Sequence, residues 1–311
     1  MNRTLTAVPG VEVGHHTDRA ALTGVTVIVF PEPNVAYAEV RGAAPGTREL
    51  GLLGPGMKVE MIQALVFAGG SAFGLAAADG VVRSLEADGR GHVTGGGLRV
   101  PIVPAAIVFD HSAVAGSRPG PEAGEAAYRA ASRAPVAMGS LGAGTGTTVA
   151  KWRGFEHAAR GGIGSATVTA GDATVGALVV LNAVGDVFDL RSTPLTGGSP
   201  TPDIKPMPRP TMVNTTLIAV ATDARLTRAD LMRLTVRAHD ALAVCVRPAH
   251  TRYDGDVAYA VSCGEVAADL DALGEAAFVA TAEAIVAAVE HAGPIDELHE
   301  AMNRRMRSEE A

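Results

Sequence analysis

Asn214 and Thr215 begin the stretch NTTLIAVATDA, and their order carries a specific piece of chemistry. A Thr hydroxyl is a weak nucleophile until a base takes its proton. An N-terminal Thr carries that base itself, because an α-amine has a pKa of ~8. Thr215 is internal, so its nitrogen is an amide. It gains an amine only if the Asn214–Thr215 bond is cut. The route is attack of Thr215 Oγ on the Asn214 carbonyl, an N→O shift to an ester, and hydrolysis of that ester. The surroundings permit such a cut. Residues 193–211, TPLTGGSPTPDIKPMPRPT, form a Pro- and Gly-rich run that reads as a flexible linker. Residues 215–224 read as a buried strand. The products would be an α chain, 1–214, and a β chain, 215–311. A loop that simply enters a sheet accounts for the same residues, and this stretch by itself leaves both readings open.

Other chemistries find less support. The 9 histidines (His15, His16, His92, His111, His157, His239, His250, His291, His299) are scattered, with no HExxH or CxxC, so no metal site is expected. Residues 139–154, GSLGAGTGTTVAKWRG, are Gly-rich and carry Lys151, but lack the Gly-Lys-Ser/Thr of a P-loop. They read either as a plain loop or as a backbone cradle for an anion or oxyanion. Ser71 in GGSAFG and Ser140 in MGSLG lack the flanking glycines of a G-x-S-x-G elbow. Cys245 and Cys263 read as reduced core residues, which suits the cytoplasm.

Composition narrows the class. The chain has 311 residues, 47% of them hydrophobic and 19% charged, enough apolar material for a large core and too little charge for disorder. The formal charge of −7 argues against a nucleic-acid surface. No segment reads as a signal peptide or as a membrane-spanning run. Aromatics are scarce at 4% while Gly reaches 37, which implies close backbone packing between layers.

The elements that must position any site alternate in type. Strands are expected at 21–30, 34–42 and 103–110, and as a pair within 164–189. Helices are expected after Ser71, as an N-cap, to Gly89, and at 120–134. Beyond the linker come a strand at 215–224, a helix at 226–246, a strand at 256–266 and an Ala-rich helix at 274–292. Thr227 and Asp230 have capping-box spacing. The pattern is α/β or α+β, with helices covering sheet faces.

Several blocks then align in order with one family. PGVEVGHHTD (9–18), VRGAAPGTRE (40–49), GGSAFGLAAADGV (69–81), GAGTGTTVAKW (142–152), LNAVGDV (181–187) and NTTLIAVATDA (214–224) follow one another in this order, and the likeness they mark covers most of the chain. They resemble the self-processing L-aminopeptidase/D-esterase and β-peptidyl aminopeptidase family of N-terminal-nucleophile peptidases, which includes nylon-oligomer hydrolases.

The resemblance implies Thr215 as the liberated nucleophile and Asn214 as the end of the upstream chain. It implies that Asp254 and Asp256, in YDGDVAYAV, support the nucleophile, as paired Asp residues do in nylon-hydrolase-like members. Aminopeptidase members more often carry Ser and Glu there, so the site leans towards the nylon-hydrolase-like branch. Lys151 matches an active-site lysine, and Asn182 an amide thought to hydrogen-bond near the reacting carbonyl. Where some members have a Tyr, Phe109 offers no hydroxyl. Read without the family, Asp254 and Asp256 could flank a hairpin Gly255, Lys151 could be a solvated charge, and Asn182 a turn residue. The implied fold is a single-domain four-layer αββα sandwich, layered like N-terminal-nucleophile hydrolases but with different connectivity. The implied activity is that of a self-processing amide hydrolase, of aminopeptidase or amidase-esterase type, that works through an acyl-enzyme. It would act on small peptides, amino acid amides or amino-acid oligomers, without a cofactor, as a homo-oligomer (a tetramer of cleaved αβ pairs), with no nucleic-acid or membrane partner. An acyltransferase resembling the ornithine acetyltransferases, or a non-catalytic oligomeric scaffold, are the alternatives.

Overall fold

A computed structural model describes residues 2–110, 117–201, 204, 214–296, 298 and 300. His111, His299, Met212, Val213 and most of 202–211 lie outside the described residues. The strands of the two principal sheets are β1 (Glu12–Asp18), β2 (Thr23–Val29), β3 (Val35–Val40), β4 (Thr47–Arg48), β5 (Ala64–Ala68), β6 (Ala105–Ile107), β7 (Gly162–Ala170), β8 (Ala173–Asn182), β9 (Thr215–Ala224) and β10 (Val257–Val266). The helices are α1 (Ala77–Ala87), α2 (Pro121–Arg129), α3 (Arg228–Cys245) and α4 (Leu270–Glu290).

One 5-stranded sheet has the order β1-β2-β5-β6-β4 and the other β7-β8-β9-β10-β3. Helices α1 and α2 pack on the first sheet, α3 and α4 on the second. The sheets face each other across a core that includes Ile28, Leu65, Phe67, Leu178, Val180, Leu217 and Tyr259. Phe67 of β5 and Tyr259 of β10 meet there with ring centroids 6.0 Å apart. The result is the expected αββα sandwich. Its second sheet is covered on both sides, which is why β9 reads as a nearly continuous apolar run. Leu217, Ala219 and Ala221 turn to the inter-sheet core, while Ile218 and Val220 turn to the helices.

The abundance of Gly and Ala has the expected physical basis. Helix α4 buries Ala277, Ala280, Ala284 and Ala288 against β7 and β8. A Cβ on Gly164 of β7 would sit 1.8 Å from the Ala284 carbonyl oxygen, so only glycine admits the helix at this distance. The helix is also long and apolar enough to cross a membrane by length and composition, with a mean hydropathy of 1.7. Here that composition serves the sheet it covers.

Local signals survive unequally. Thr227 and Asp230 form the reciprocal capping box of α3. Ser71 caps nothing. It stands at φ 56 and opens a 3-10 turn, and α1 starts only at Ala77. An N-cap needs extended backbone, which Ser71 lacks; tertiary contacts fix this turn instead, Gly70 N donating to Asp110 Oδ1 at 3.0 Å and Ser71 N to the Val108 carbonyl at 3.1 Å. The described start of the Pro/Gly-rich run is hydrogen-bonded to the body. Arg153 donates to the Thr196 carbonyl at 2.7 Å and Arg247 to that of Pro200 at 3.3 Å.

Candidate active site

Thr215 is the first residue of β9, and Asn182 is the last of its antiparallel neighbour β8; the two stand directly opposite each other. On the other side, Asn214 makes a parallel bridge to Asp254, just before β10 begins. Asn214 N donates to the Tyr253 carbonyl at 2.9 Å, and Gly255 N donates to the Asn214 carbonyl at 2.8 Å. Thr215 Oγ donates to that same carbonyl oxygen at 2.5 Å. The Asn214–Thr215 peptide is thus buried, with its carbonyl oxygen held by a backbone amide and touched by the hydroxyl that follows it.

Asn182 is fully buried and its side chain is committed. Oδ1 accepts from Thr148 N at 3.0 Å and Lys151 Nζ at 3.2 Å, and Nδ2 donates to the Phe109 carbonyl at 2.9 Å. It is therefore no turn residue, and its amide is aimed at Phe109 rather than at the Asn214 carbonyl. The donor to the Asn214 carbonyl is Gly255 N. Position 109 contributes through its backbone, so the missing hydroxyl of Phe109 does not remove this contact.

Lys151 is not a solvated charge. It follows Ala150, at φ 62, and only 5% of it is exposed. Burial lowers the ammonium to about 7, with the charge of Asp254 pulling the other way. Ammonium and neutral amine are thus both accessible near neutral pH.

Asp254 and Asp256 are both buried, and Gly255 between them is not a hairpin glycine. Asp254 Oδ2 accepts from Thr251 N at 2.9 Å and Thr251 Oγ at 2.6 Å. Its carboxyl is pushed up to about 6, by burial first and by the charge of Asp256 second. Asp256 Oδ1 accepts from Thr216 N at 2.7 Å, and Oδ2 from His250 Nδ1 at 2.7 Å. A Cβ on Gly255 would lie 2.4 Å from the Ala44 carbonyl oxygen and 2.8 Å from Thr215 Oγ. The 40–49 block clamps this turn: Arg41 N and Gly42 N donate to the Asp256 carbonyl at 3.0 and 3.1 Å, and Ala44 N to that of Asp254 at 2.9 Å.

Asn214, Thr215, Lys151, Asn182, Asp254 and Asp256 therefore meet where β8, β9 and the turn before β10 converge. Gly255 and His250 join them without having been expected. Gly255 signalled itself only as the residue between two aspartates, and His250 only as a histidine six positions before the second. Among the described residues no group of three or more His, Cys, Asp or Glu is arranged to hold a metal. Cys245 and Cys263 are free thiols, pushed up by burial to about 11 and about 12.

What such a site can do is activate a hydroxyl against a carbonyl in a water-poor setting, and relatives bear on that chemistry. The profile of peptidase family S58 matches residues 3–302. An uncharacterized aminopeptidase of Mycobacterium leprae (strain TN) is 41% identical over 300 residues, covering 85% of this chain and 80% of that protein. A 6-aminohexanoate-oligomer endohydrolase of Agromyces sp. (strain KY5R) is 29% identical over 276 residues, covering 83% and 74%. Among solved structures, the L-aminopeptidase D-Ala-esterase/amidase of Ochrobactrum anthropi, described as a variant of the Ntn hydrolase fold, superposes with a TM-score of 0.75 at 21% identity, covering 98% of this chain and 94% of that one. A Burkholderia sp. beta-aminopeptidase gives 0.74 at 24% identity over the same shares. With the profile spanning nearly the whole chain and the sandwich in common, the protein belongs to peptidase family S58 and is a hydrolase of the aminopeptidase/amidase kind.

Proposed function

We propose that the chain cuts itself between Asn214 and Thr215 and that the freed Thr215 then hydrolyses amide bonds through an acyl-enzyme. The observation that carries this reading is the contact of Thr215 Oγ with the Asn214 carbonyl oxygen, at 2.5 Å, while Gly255 N donates to that oxygen at 2.8 Å. In the first reaction Oγ loses its proton and attacks the Asn214 carbonyl carbon. The Gly255 amide stabilises the oxyanion; one donor of this kind is worth ~3–4 kcal/mol. The C–N bond breaks, the leaving nitrogen takes a proton, and an ester joins Asn214 to Thr215 Oγ. Water cleaves the ester, leaving a carboxylate on Asn214 and an amine on Thr215. Neutral Lys151 is the base nearest in kind to this task, since burial brings it to about 7.

In the second reaction the Thr215 amine takes the Oγ proton, and Lys151, when charged, keeps that amine neutral. Oγ attacks the substrate carbonyl, the amine product leaves, and water releases the acid. Asp254 balances the lysine charge and Asp256 orients the strand. The paired aspartates and the 6-aminohexanoate-oligomer endohydrolase relative support small peptides, amino acid amides or amino-acid oligomers as substrates. The free thiols support a reducing compartment such as the cytoplasm. Assembly into a tetramer of cleaved pairs belongs to the same reading, and the exposed Val93, Leu98 and Val100 support an interface.

Intact-mass analysis tests it. Active protein is expected as two chains, Met1–Asn214 and Thr215–Ala311, whereas Thr215→Ala stays whole and inactive. Full activity in an uncut wild-type chain would sink the proposal.

A further inference from the structure

His250 has no place in the scheme above, yet it is the partner that holds the outer oxygen of Asp256. Asp256 Oδ1 accepts from Thr216 N at 2.7 Å, so the carboxylate grips the peptide immediately after the nucleophile. Its Oδ2 accepts from His250 Nδ1 at 2.7 Å and from His250 N at 3.3 Å. The carboxylate cannot rotate without losing one of these. His250 is itself held in an uncommon posture. Its φ is 54, in the left-handed region that residues with a Cβ seldom occupy.

His239, from helix α3, meets the His250 ring edge-on, with centroids 4.9 Å apart and planes at 69°. His239 Nε2 lies 3.1 Å from the Glu39 carbonyl oxygen. A carbonyl only accepts, so His239 carries its proton on Nε2 and leaves Nδ1 as a lone pair. Burial lowers His239 to about 4, which keeps it neutral. The charged groups around the pair are Asp254 and Asp256 on the turn and Glu39 on β3, and Glu39 is already paired with Arg41. His250 Nε2 and His239 Nδ1 are buried without hydrogen-bond partners. The cost of such orphaned atoms is sustained where the ring geometry serves something else.

We propose that His250 is a positioning residue: braced by His239, it orients Asp256, and through Asp256 and the Thr216 amide it aims Thr215 Oγ at the carbonyl under attack. The role rests on Thr215 being the nucleophile.

The test compares His250→Ala, His250→Asn, His250→Gln and Thr215→Ala. Self-cleavage of freshly synthesised precursor is followed by intact mass. Turnover is followed on an alanine p-nitroanilide, and folding by thermal unfolding. Asn places an N–H donor where Nδ1 stands and tolerates a left-handed backbone, whereas Gln places its donor at the Nε2 position. Loss of a charge-assisted hydrogen bond of this kind slows both reactions by about ten- to a hundredfold in His250→Ala and His250→Gln. KM changes by less than about twofold, because the group acts on the reacting hydroxyl and not on substrate binding. His250→Asn regains most of the rate. Wild-type rates in His250→Ala, or equal impairment of Asn and Gln, would overturn the assignment. Should His250→Ala fail to fold, the Asn-against-Gln comparison decides. A Thr215→Ala protein that is still cut or active overturns the nucleophile itself, and the positioning role with it; an inert Thr215→Ala beside a fully active His250→Ala overturns the positioning role alone.

Discussion

Asn182 and Thr215 are directly opposed across neighbouring antiparallel strands, the last residue of β8 against the first of β9. Opposed residues in such a ladder project to the same side of the sheet. This pairing brings Lys151, bound to Asn182 Oδ1 at 3.2 Å, to the face that carries the Thr215 hydroxyl. Asn182 thus links the 142–152 loop to Thr215, and the short run VLNAVGD acquires a mechanical reason.

Asn182→Ala is therefore expected to damage both stability and self-cleavage. It strands Thr148 N and the Phe109 carbonyl and leaves Lys151 Nζ only the backbone carbonyl of position 182, at 3.4 Å. Each buried group left unpaired costs about 1–3 kcal/mol. Urea unfolding should show a loss of several kcal/mol, and intact mass should show the precursor persisting. Stability within about 0.5 kcal/mol of wild type would contradict this packing.

Gly255→Ala probes the carbonyl cradle. The added methyl would lie 2.4 Å from the Ala44 oxygen and 2.8 Å from Thr215 Oγ, so the turn or the hydroxyl must move. A displacement near 1 Å costs about a hundredfold in a positioned reaction. Self-cleavage should slow by about that factor in a folded protein, read as the half-life of the uncut chain. An unchanged half-life would remove Gly255 from the machinery.

pH acts on the uncut site with a definite sign. Asp254 is raised from 3.8 to about 6, so the folded chain binds more protons than the unfolded one between those values, and stability falls as pH rises across them. Lys151 is lowered from 10.5 to about 7, so the unfolded chain binds more protons between 7 and 10.5, and stability rises there. Thr215→Ala, expected to stay whole, should show a minimum in melting temperature between pH 6 and 7. Adding Lys151→Met should abolish the rise on the alkaline side. The wild-type precursor should cut itself faster as pH climbs through 7 and Lys151 becomes neutral.

Gly164→Val tests the layer packing far from the chemistry. Its side chain has no room against the Ala284 carbonyl, 1.8 Å from a Cβ. Overpacking of this kind costs about 1–3 kcal/mol or more. Thermal unfolding should fall accordingly, and the residual folded fraction should retain self-cleavage.

The amino-acid order alone determined what is local. The nearly continuous apolar run in 215–224 marked β9 end to end, because a strand covered on both faces needs apolar side chains in both directions. Thr227 and Asp230 marked the start of α3, because a capping box closes within four residues. The ordered motif blocks carried the family, and the Asn214–Thr215 junction carried the proposed self-cleavage, since the hydroxyl and the carbonyl it would attack are neighbours in the chain. Ser71 shows the limit: tertiary contacts to Asp110 and Val108 hold its turn with Ser71 at φ 56, a backbone conformation that does not cap a helix. Only the tertiary structure decided that Gly255 holds the Asn214 carbonyl, that Asn182 faces Phe109, that burial brings Lys151 near neutrality, and that His250 grips Asp256. Each depends on strand register or on exclusion of water. Thr216 and Asp256 lie 40 residues apart in sequence, and nothing in the side-chain periodicity of either segment sets the register that makes them touch.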